Sequence, residues 1–502
     1  MISLPFMLSL LSGAVTVFAF APFGWWQIQI AALALLFILV QRAKSAKAAF
    51  RVGWAFATAA IAAGTHWLYI SLHDYGGMPS WLASLAVFLL AASLGLLYGL
   101  ALALAKRITI ILQWPMTLLL LMPCCWLLAD WTRGWIFTGF PWLATGYAHT
   151  NSPLGGYAPL IGVFGIGLLA SVVAGCVALI IMLRRPHWVA VGLLVSVPLG
   201  GHLLKDLQWG TALGQPISVR LLQGNVAQEM KFEPEQIAAS LALYQDMVMA
   251  QRADLIATPE TAIPLLSSQL PPDYLDQLSA FAKQNDSRLL LGAPWSTAPG
   301  IYLNSVIGMG NGVAYRYDKH HLVPFGEFIP IGFRWFVDMM RMPLGDFGRG
   351  DLHQPAFHVK DQWVLPNICY EDLFGEEIAA QIAAALDRGT PVPSILLNVS
   401  NIAWFGDTIA LPQHLQISQM RTLETGRPML RATNTGATAV IDGRGQIVAS
   451  LPAFTRGTLE ASVQGRQGAT PYIRLGNTLP IGLALALLAL LGLKRLGRSK
   501  NG

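Results

Sequence analysis

The chain has 502 residues, of which 54% are hydrophobic and only 12% are charged. This balance excludes an ordinary soluble globular protein, and the length exceeds what one hydrophobic core usually spans. The formal net charge of +6 comes largely from Lys and Arg between hydrophobic segments. The composition therefore predicts a membrane protein with a separate globular domain, and it gives no reason to expect a nucleic-acid partner.

The predicted elements begin with seven hydrophobic segments. They cover residues 5–21, 25–41, 52–71, 80–105, 109–129, 156–183 and 187–204, and an eighth, "LPIGLALALLALLGL", lies near the C-terminus. Since about 20 apolar residues cross a bilayer as a helix, the pattern predicts about eight transmembrane helices. An alternative for the first segment is a signal peptide, because Ala19-Phe20-Ala21 imitates a cleavage site, although the usual positive n-region is missing.

Basic residues between these segments predict the orientation of the chain, because short cytoplasmic loops accumulate Lys and Arg. One set of loops and the C-terminal tail carry Arg42, Lys44, Lys47, Arg51, Lys106, Arg107, Arg184, Arg185, Lys494, Arg495, Arg498 and Lys500. The opposite short loops hold only Arg133. We therefore expect a multi-pass protein of a bacterial cytoplasmic (inner) membrane, with both termini cytoplasmic and its polar domain in the periplasm.

Three domains follow from this division. We predict a helical transmembrane bundle over residues 1–204, a globular domain over 205–475, and a transmembrane helix with a basic tail over 476–502. Within the globular domain, short apolar runs such as "SVRLLQGN", "LIATPE", "RLLLGAPW", "VLPNICYE" and "SILLNVSN" alternate with helix-like stretches. Hairpin signals in "SVIGMGNGVAYRYD" and "TAVIDGRGQIVAS" add antiparallel strands. This pattern predicts a layered α/β fold with mixed sheets.

Three chemically active residues come where predicted strands end. Glu260 follows "LIAT", Lys319 ends a hairpin strand, and Cys369 ends "VLPNIC" as the one Cys outside the hydrophobic segments. A carboxylate, an ammonium and a thiol are what acyl transfer through a thioester requires. In this interpretation Lys319 lowers the pKa of the thiol and stabilises the oxyanion, with a backbone N–H near Tyr370, while Glu260 takes the proton.

Each of these residues also has an ordinary interpretation when taken alone. A Glu after a strand is usually a turn residue, a Lys at a hairpin end is usually solvated, and a Cys in an apolar run is usually part of the core. The words "PE", "YDKHHLVPFGE" and "CYED" in this order, however, resemble the Glu-Lys-Cys triad of the nitrilase superfamily. With eight hydrophobic segments around them, the chain resembles one family within it, the apolipoprotein N-acyltransferases.

The resemblance implies a nitrilase-like α-β-β-α sandwich outside the cytoplasmic membrane. It implies transfer of an acyl chain from a membrane phospholipid to the N-terminal Cys of a diacylglyceryl-modified apolipoprotein, the third step of lipoprotein maturation, without any cofactor. In this sequence it assigns Glu260 as general base, Lys319 as oxyanion group and Cys369 as nucleophile. It further implies that Glu327, Tyr370 and Glu371 support the active site.

Several apolar residues are candidates for substrate binding or for a lid over acyl chains: Phe232, Trp335, Phe336, Met339, Trp404 and Phe405. The stretch around Trp335 has a second interpretation as a core segment of the sandwich. Two positions depart from the family pattern: Phe232 stands where Trp is more frequent, and Ile402 stands where Asp is usual. Both departures spare the triad.

No metal site is predicted, because adjacent His320 and His321 on a strand would point to opposite faces. The expected partners are phospholipid, apolipoprotein and the bilayer itself, and a monomer is the default. Two alternatives share these observations: a membrane-anchored nitrilase-type hydrolase that delivers water to the thioester, and a non-catalytic lipid-binding or transport protein.

Overall fold

The computed structural model describes residues 3–109, 114–227, 234–298, 300–310, 312–329, 332 and 347–500. The chain divides into two compact units. The helical unit comprises Met1–Tyr69, Met78–Leu207 and Leu475–Gly502, and the α/β unit comprises Ile70–Gly77 and Gln208–Arg474.

The helical unit contains a helix for each of the eight hydrophobic segments. The longer helices are Leu4–Val15, Trp26–Arg42, Ala46–Gly64, Ser80–Ile108, Met122–Arg133, Ala158–Leu183, Trp188–Leu204 and Thr478–Lys500. Short helical turns adjoin several of them. They are Thr16–Ala19, Leu68–Ile70, Ser71–Tyr75, Trp114–Met116, Thr117–Leu121, Ile136–Thr138, Thr145–His149 and Pro153–Tyr157.

Length and composition qualify fewer of these helices as membrane spans. Among the described residues, three are long and apolar enough: Ser80–Ile108, Trp114–Arg133 and Pro153–Leu183. A bent pair, Ala46–Gly64 with Leu68–Tyr75, brings the number to as many as four. Four further apolar helices are shorter: Leu4–Ala19, Trp26–Arg42, Trp188–Leu204 and Thr478–Gly492. Membrane-spanning helices are thus supported, whereas the number eight stays a prediction.

Arg133 differs from its predicted place in a loop. It is the last residue of the helix Met122–Arg133 and is only 1% exposed. Its guanidinium lies 2.9 Å from Asp130 and donates to the Trp142 carbonyl at 2.6 Å, and Tyr98 donates to the same carboxylate. A paired and hydrogen-bonded charge is the form in which ionisable groups are tolerated inside a helical bundle. Arg133 is therefore a structural residue of the bundle.

The α/β unit contains fourteen strands among the described residues. They are β1 Thr211–Ala212, β2 Ile217–Gln223, β3 Leu255–Ala257, β4 Arg288–Ala298, β5 Ile301–Met309, β6 Tyr315–Asp318, β7 Phe357–Val359, β8 Gln362–Ile368, β9 Ile395–Ser400, β10 Met429–Thr433, β11 Ala439–Ile441, β12 Ile447–Ser450, β13 Gly457–Val463 and β14 Arg466–Gln467. Its helices are Pro234–Met249, Tyr274–Gln284, Gly375–Arg388, Ala410–Thr425 and Pro471–Leu475.

Two six-stranded sheets form the centre of this unit, in the orders β13-β2-β3-β4-β5-β6 and β12-β11-β10-β9-β8-β7. Both are mixed, since β2, β3 and β4 run parallel, as do β8, β9 and β10, while their neighbours run antiparallel. The predicted hairpins are confirmed as β5–β6 and β11–β12. Strands buried along their whole length, such as β9, explain the continuous apolar runs in the sequence.

The hydrophobic core lies between the two sheets. Leu221 and Leu290 of one sheet share a cluster with Val364 and Leu396 of the other. A second cluster packs the helices Pro234–Met249 and Tyr274–Gln284 on the outer face of the first sheet. The amphipathic helix Gly375–Arg388 contributes Ile378 and Ile382 to the same cluster as Val364 and Leu396 of the second sheet. This arrangement confirms the predicted nitrilase-like layering.

Candidate active site

The three strand-end residues converge from both sheets. Glu260 follows β3 by three residues, Lys319 directly follows β6, and Cys369 directly follows β8. Glu260 and Lys319 are 7% and 1% exposed, whereas Cys369 keeps a partly exposed surface. Cys369 also has φ of +52° at the start of the helical turn Cys369–Leu373. Such a φ is unfavourable for a side chain with a Cβ, so the surrounding contacts must hold this elbow in place.

Lys319 is held by two carboxylates. Its Nζ lies 2.8 Å from Glu327 Oε1 and 3.4 Å from Glu260 Oε1. The amide of Asn304 donates to both of these oxygens at 2.8 Å, and the Val323 N–H donates to the second oxygen of Glu327. Two carboxylates and one ammonium give the site a formal charge of −1 before the thiol is counted. The structure thus places Glu327 in direct contact with Lys319.

The second oxygen of Glu260 is held from the other sheet. The backbone N–H of Asn401, just after β9, donates to Glu260 Oε2 at 2.8 Å. The side chain of Asn401 accepts from Asn434, whose own amide oxygen accepts the Val226 N–H at 2.9 Å. Sequence reasoning missed Asn304, Asn401 and Asn434. In the sequence, each of them is an Asn within a strand-like run or just after one, in "LNSV", "NVSN" and "ATNTG".

Burial and neighbouring charges affect the pKa of Lys319 and the pKa of Cys369 in different ways. Burial would lower the pKa of Lys319, but Glu327 and Glu260 outweigh it, so the pKa is raised and the side chain stays charged. Burial raises the pKa of the Cys369 thiol well above its ordinary range, and Glu260, Glu327 and Asp372 add to this effect. Lys319 lowers the pKa of the thiol, in the direction expected from the sequence, but it does not outweigh burial and the carboxylates.

Alkylation of Cys369 should report this raised pKa. We expect its rate with iodoacetamide to rise about tenfold per pH unit between about pH 7 and pH 9 without reaching a plateau. The thiolate is the reactive form, and the raised pKa keeps most of the Cys369 thiol protonated in this range. Peptide mapping assigns the label to Cys369, and Cys369→Ala gives the background from the other cysteines. A plateau below about pH 8 would show instead a preformed thiolate.

The Glu371 carboxylate forms hydrogen bonds with the backbone at two of the strand ends. It accepts the N–H groups of Ile368, His320 and His321 at 2.6, 2.7 and 3.2 Å, and the Tyr317 hydroxyl at 3.1 Å. Burial raises the pKa of Glu371 to about 7, although the backbone donors and Lys319 oppose this shift. The carboxyl group thus links the backbone after Lys319 to the residue before Cys369. Tyr370 is buried beside His321 and Phe374.

A second buried network lies behind the nucleophile. Asp372 contacts His414 Nε2 at 2.9 Å, Arg431 Nη1 at 3.0 Å and Ser418 Oγ at 2.5 Å. Arg431 Nη2 lies 2.8 Å from His414 Nδ1, so the ring accepts there and donates from Nε2 to the carboxylate. The pKa of Asp372 is lowered, because His414, Arg431 and Ser418 outweigh burial. This network anchors the turn that begins at Cys369.

Of the remaining predicted residues, the structure describes some, and the others lie outside the described residues. Trp404 and Phe405 are partly buried in the turn Ala403–Phe405, and the departure Ile402 is a buried apolar residue there, 1% exposed. Four other predicted substrate-binding or lid residues lie outside the described residues: Phe232, Trp335, Phe336 and Met339.

The two adjacent histidines have separate partners. His320 Nδ1 lies 2.8 Å from the Gly350 carbonyl, and His321 Nδ1 lies 2.8 Å from Glu377. His321 also stacks on Phe374. Within the described part of the chain, no group of three or more His, Cys, Asp or Glu side chains is arranged to hold a metal ion.

The chain is similar to known proteins over nearly its whole length. The profile of the apolipoprotein N-acyltransferase N-terminal domain matches residues 12–176, and that of the carbon-nitrogen hydrolases matches residues 218–472. An apolipoprotein N-acyltransferase from Ralstonia nicotianae is 50% identical over 97% of this chain and 93% of the relative. One from Nitrosomonas europaea is 44% identical over 96% and 95%. Among solved structures, an amidase from Nesterenkonia sp. is 18% identical over 53% of this chain and 95% of its own, with a TM-score of 0.38.

Proposed function

Because the chain belongs to the apolipoprotein N-acyltransferase family, we propose that Cys369 carries the transferred acyl group as a thioester. The activity is that of an acyltransferase of the carbon-nitrogen hydrolase superfamily. The observation that supports the thioester is the convergence of Glu260, Lys319 and Cys369 from three strand ends of two sheets. The proposed donor is a membrane phospholipid, and the acceptor is the α-amine of a diacylglyceryl-modified apolipoprotein.

The first half-reaction acylates the enzyme. Glu260 takes the proton of the thiol while the sulfur attacks the ester carbonyl, so the formal charge of the site does not change in this transfer. Lys319, fixed by Glu327, stabilises the oxyanion of the tetrahedral intermediate. The carbon–oxygen bond then breaks, and Glu260 returns the proton to the departing alkoxide. The products are a lysophospholipid and acyl-Cys369.

The second half-reaction transfers the acyl group. The α-amine of the acceptor attacks the thioester, Glu260 accepts the proton of the amine, and Lys319 again faces the oxyanion. When the carbon–sulfur bond breaks, the proton on Glu260 returns to the sulfur, which restores the thiol. An amide forms at the expense of the original ester, so the reaction requires no nucleotide or other cofactor.

The membrane supplies the donor in this proposal. We propose that all eight helices span the inner membrane with both termini cytoplasmic, and that the domain over residues 205–475 faces the periplasm. The asymmetry of the Lys and Arg residues supports this topology. Phe232, Trp335, Phe336, Met339, Trp404 and Phe405 would contact acyl chains or form the lid. The enzyme would act as a monomer.

Intact-mass spectrometry tests this function directly. The purified protein is incubated with phospholipid vesicles, and a diacylglyceryl-cysteinyl peptide is then added, with Cys369→Ala as the blank. We expect one acyl mass on the wild-type protein, lost when the peptide gains the same mass on its α-amine. Release of free fatty acid with or without peptide would instead identify a hydrolase. Bound lipid without any covalent adduct would identify a lipid-binding protein.

A further inference from the structure

One segment of the N-terminal half belongs to the α/β unit. Ile70–Gly77 lies far in sequence from Gln208–Arg474, yet its contacts place it in the same compact unit. It contains the π-helical turn Ser71–Tyr75 and ends at the buried Gly76 and the exposed Gly77. A segment so placed must have partners among the loops of that unit.

The partner is the turn that follows β9. Ser71 Oγ donates to the carbonyl of Trp404 at 2.7 Å, and the rings of Tyr75 and Trp404 meet edge to face, with centroids 5.6 Å apart. Gly406, with φ of +59°, lies so close that an added Cβ would be 3.4 Å from the side chain of Ile70. A hydrogen bond and a ring contact thus fall on Trp404, and a van der Waals approach falls on Gly406, two residues further along the chain.

The same turn holds the carboxylate of the active site. Asn401, three residues before Trp404, donates its N–H to Glu260. Two backbone hydrogen bonds stabilise the turn after Asn401. The Phe405 N–H donates to the Ile402 carbonyl at 3.2 Å, and the Gly406 N–H donates to the Ala403 carbonyl at 3.1 Å. Ile402 and Ala403, which join Asn401 to Trp404, are both buried. A displacement at Trp404 is therefore transmitted to the Asn401 N–H.

We propose that the Ile70–Gly77 segment is a positioning element of the active site, which holds the Trp404 turn and thereby the N–H that orients Glu260. Ser71 and Tyr75 are its positioning residues, and neither takes part in the chemistry. This proposal rests on the proposed function, because it assigns Glu260 the role of the base. It extends the active site into the N-terminal half of the chain.

The test uses the full-length protein and measures the rate of Cys369 acylation against pH. Ser71→Ala with Tyr75→Leu should lower the maximal rate about tenfold, since the loss of a hydrogen bond and a ring contact has effects of that order. The phospholipid concentration that gives half of the maximal rate should change less than about twofold. The acidic limb of the profile should move upward by about half a unit, because a carboxylate that loses an N–H donor holds its proton more tightly. Among the described residues, the ionisable groups near Glu260 include Lys319, Glu327 and Cys369, which the variant leaves in place.

Three comparisons make the outcome decisive. Tyr75→Phe keeps the ring and should stay closer to the wild type than Tyr75→Leu, and Ser84→Ala removes a hydroxyl that donates to the Ser80 carbonyl of its own helix. A lowered rate with an unmoved acidic limb would overturn the proposal, since general loosening of the fold would explain it. An unchanged rate would also overturn it. If the wild-type protein itself is not acylated, the proposed function fails, and this inference fails with it.

Discussion

Lys319→Met is expected to lower the rate of Cys369 acylation by at least about a thousandfold. The substitution removes the one cation that contacts both Glu260 and Glu327 in the described site. The oxyanion then forms beside two carboxylates without this cation, and the thiol loses a neighbouring charge that lowers its pKa. The rate is measured by intact mass after mixing with phospholipid vesicles.

Two variants separate charge from position. Lys319→Arg keeps the charge, but its planar fork cannot occupy a place shaped for an ammonium between two carboxylates, so activity should remain at least about a hundredfold below wild type. Lys360→Met is the matched control, because this exposed lysine pairs with Asp286 in the same unit and lies outside the site. A Lys319→Met protein that acylates within tenfold of the control would remove Lys319 from the chemistry. Thermal unfolding of each variant shows whether the fold is retained.

The sequence predicted the fold where a local pattern determines the structure. The apolar runs of β8 and β9 are buried along nearly their whole length, so continuous hydrophobicity was a sufficient signal. The two hairpins were found from Asn-Gly and Asp-Gly turns. The two-residue strand β14 lacks such a signal, because its pairing partner, β1, is distant in sequence.

The same contrast between local patterns and distant contacts applies to the active-site residues. Glu260, Lys319 and Cys369 were found because each ends a strand and carries unusual chemistry for its position. The residues that hold them were missed, since Asn304, Asn401 and Asn434 act through contacts between segments far apart in the chain. The net shift of the thiol pKa could not be predicted from the sequence either. It depends on the burial and on the sum of surrounding charges, which no single neighbour in the sequence determines.

Asp372→Asn is expected to lower the free energy of unfolding by about 3–5 kcal/mol, because it leaves the fully buried Arg431 without its counter-ion. The pKa of Asp372 is lowered in the folded protein. Its stabilising effect is therefore fully present above its unfolded value of about pH 4, and it is lost as the pH falls through the lower folded value. Thermal unfolding near neutral pH should show the full difference between variant and wild type, and acidification should reduce it.

The double variant Asp372→Asn/Arg431→Met tests whether that loss comes from an uncompensated charge. Replacing both charged groups removes the unpaired guanidinium, so the double variant should be more stable than Asp372→Asn alone, although one more residue has changed. Acylation of Cys369 should nevertheless remain impaired in both proteins, because the turn Cys369–Leu373 has lost its carboxylate anchor to Ser418 and His414. A double variant no more stable than Asp372→Asn would assign the loss to packing. Recovery of stability without recovery of acylation would separate the two effects of the network: charge balance supports the fold, and the anchored turn holds the nucleophile at its strained φ.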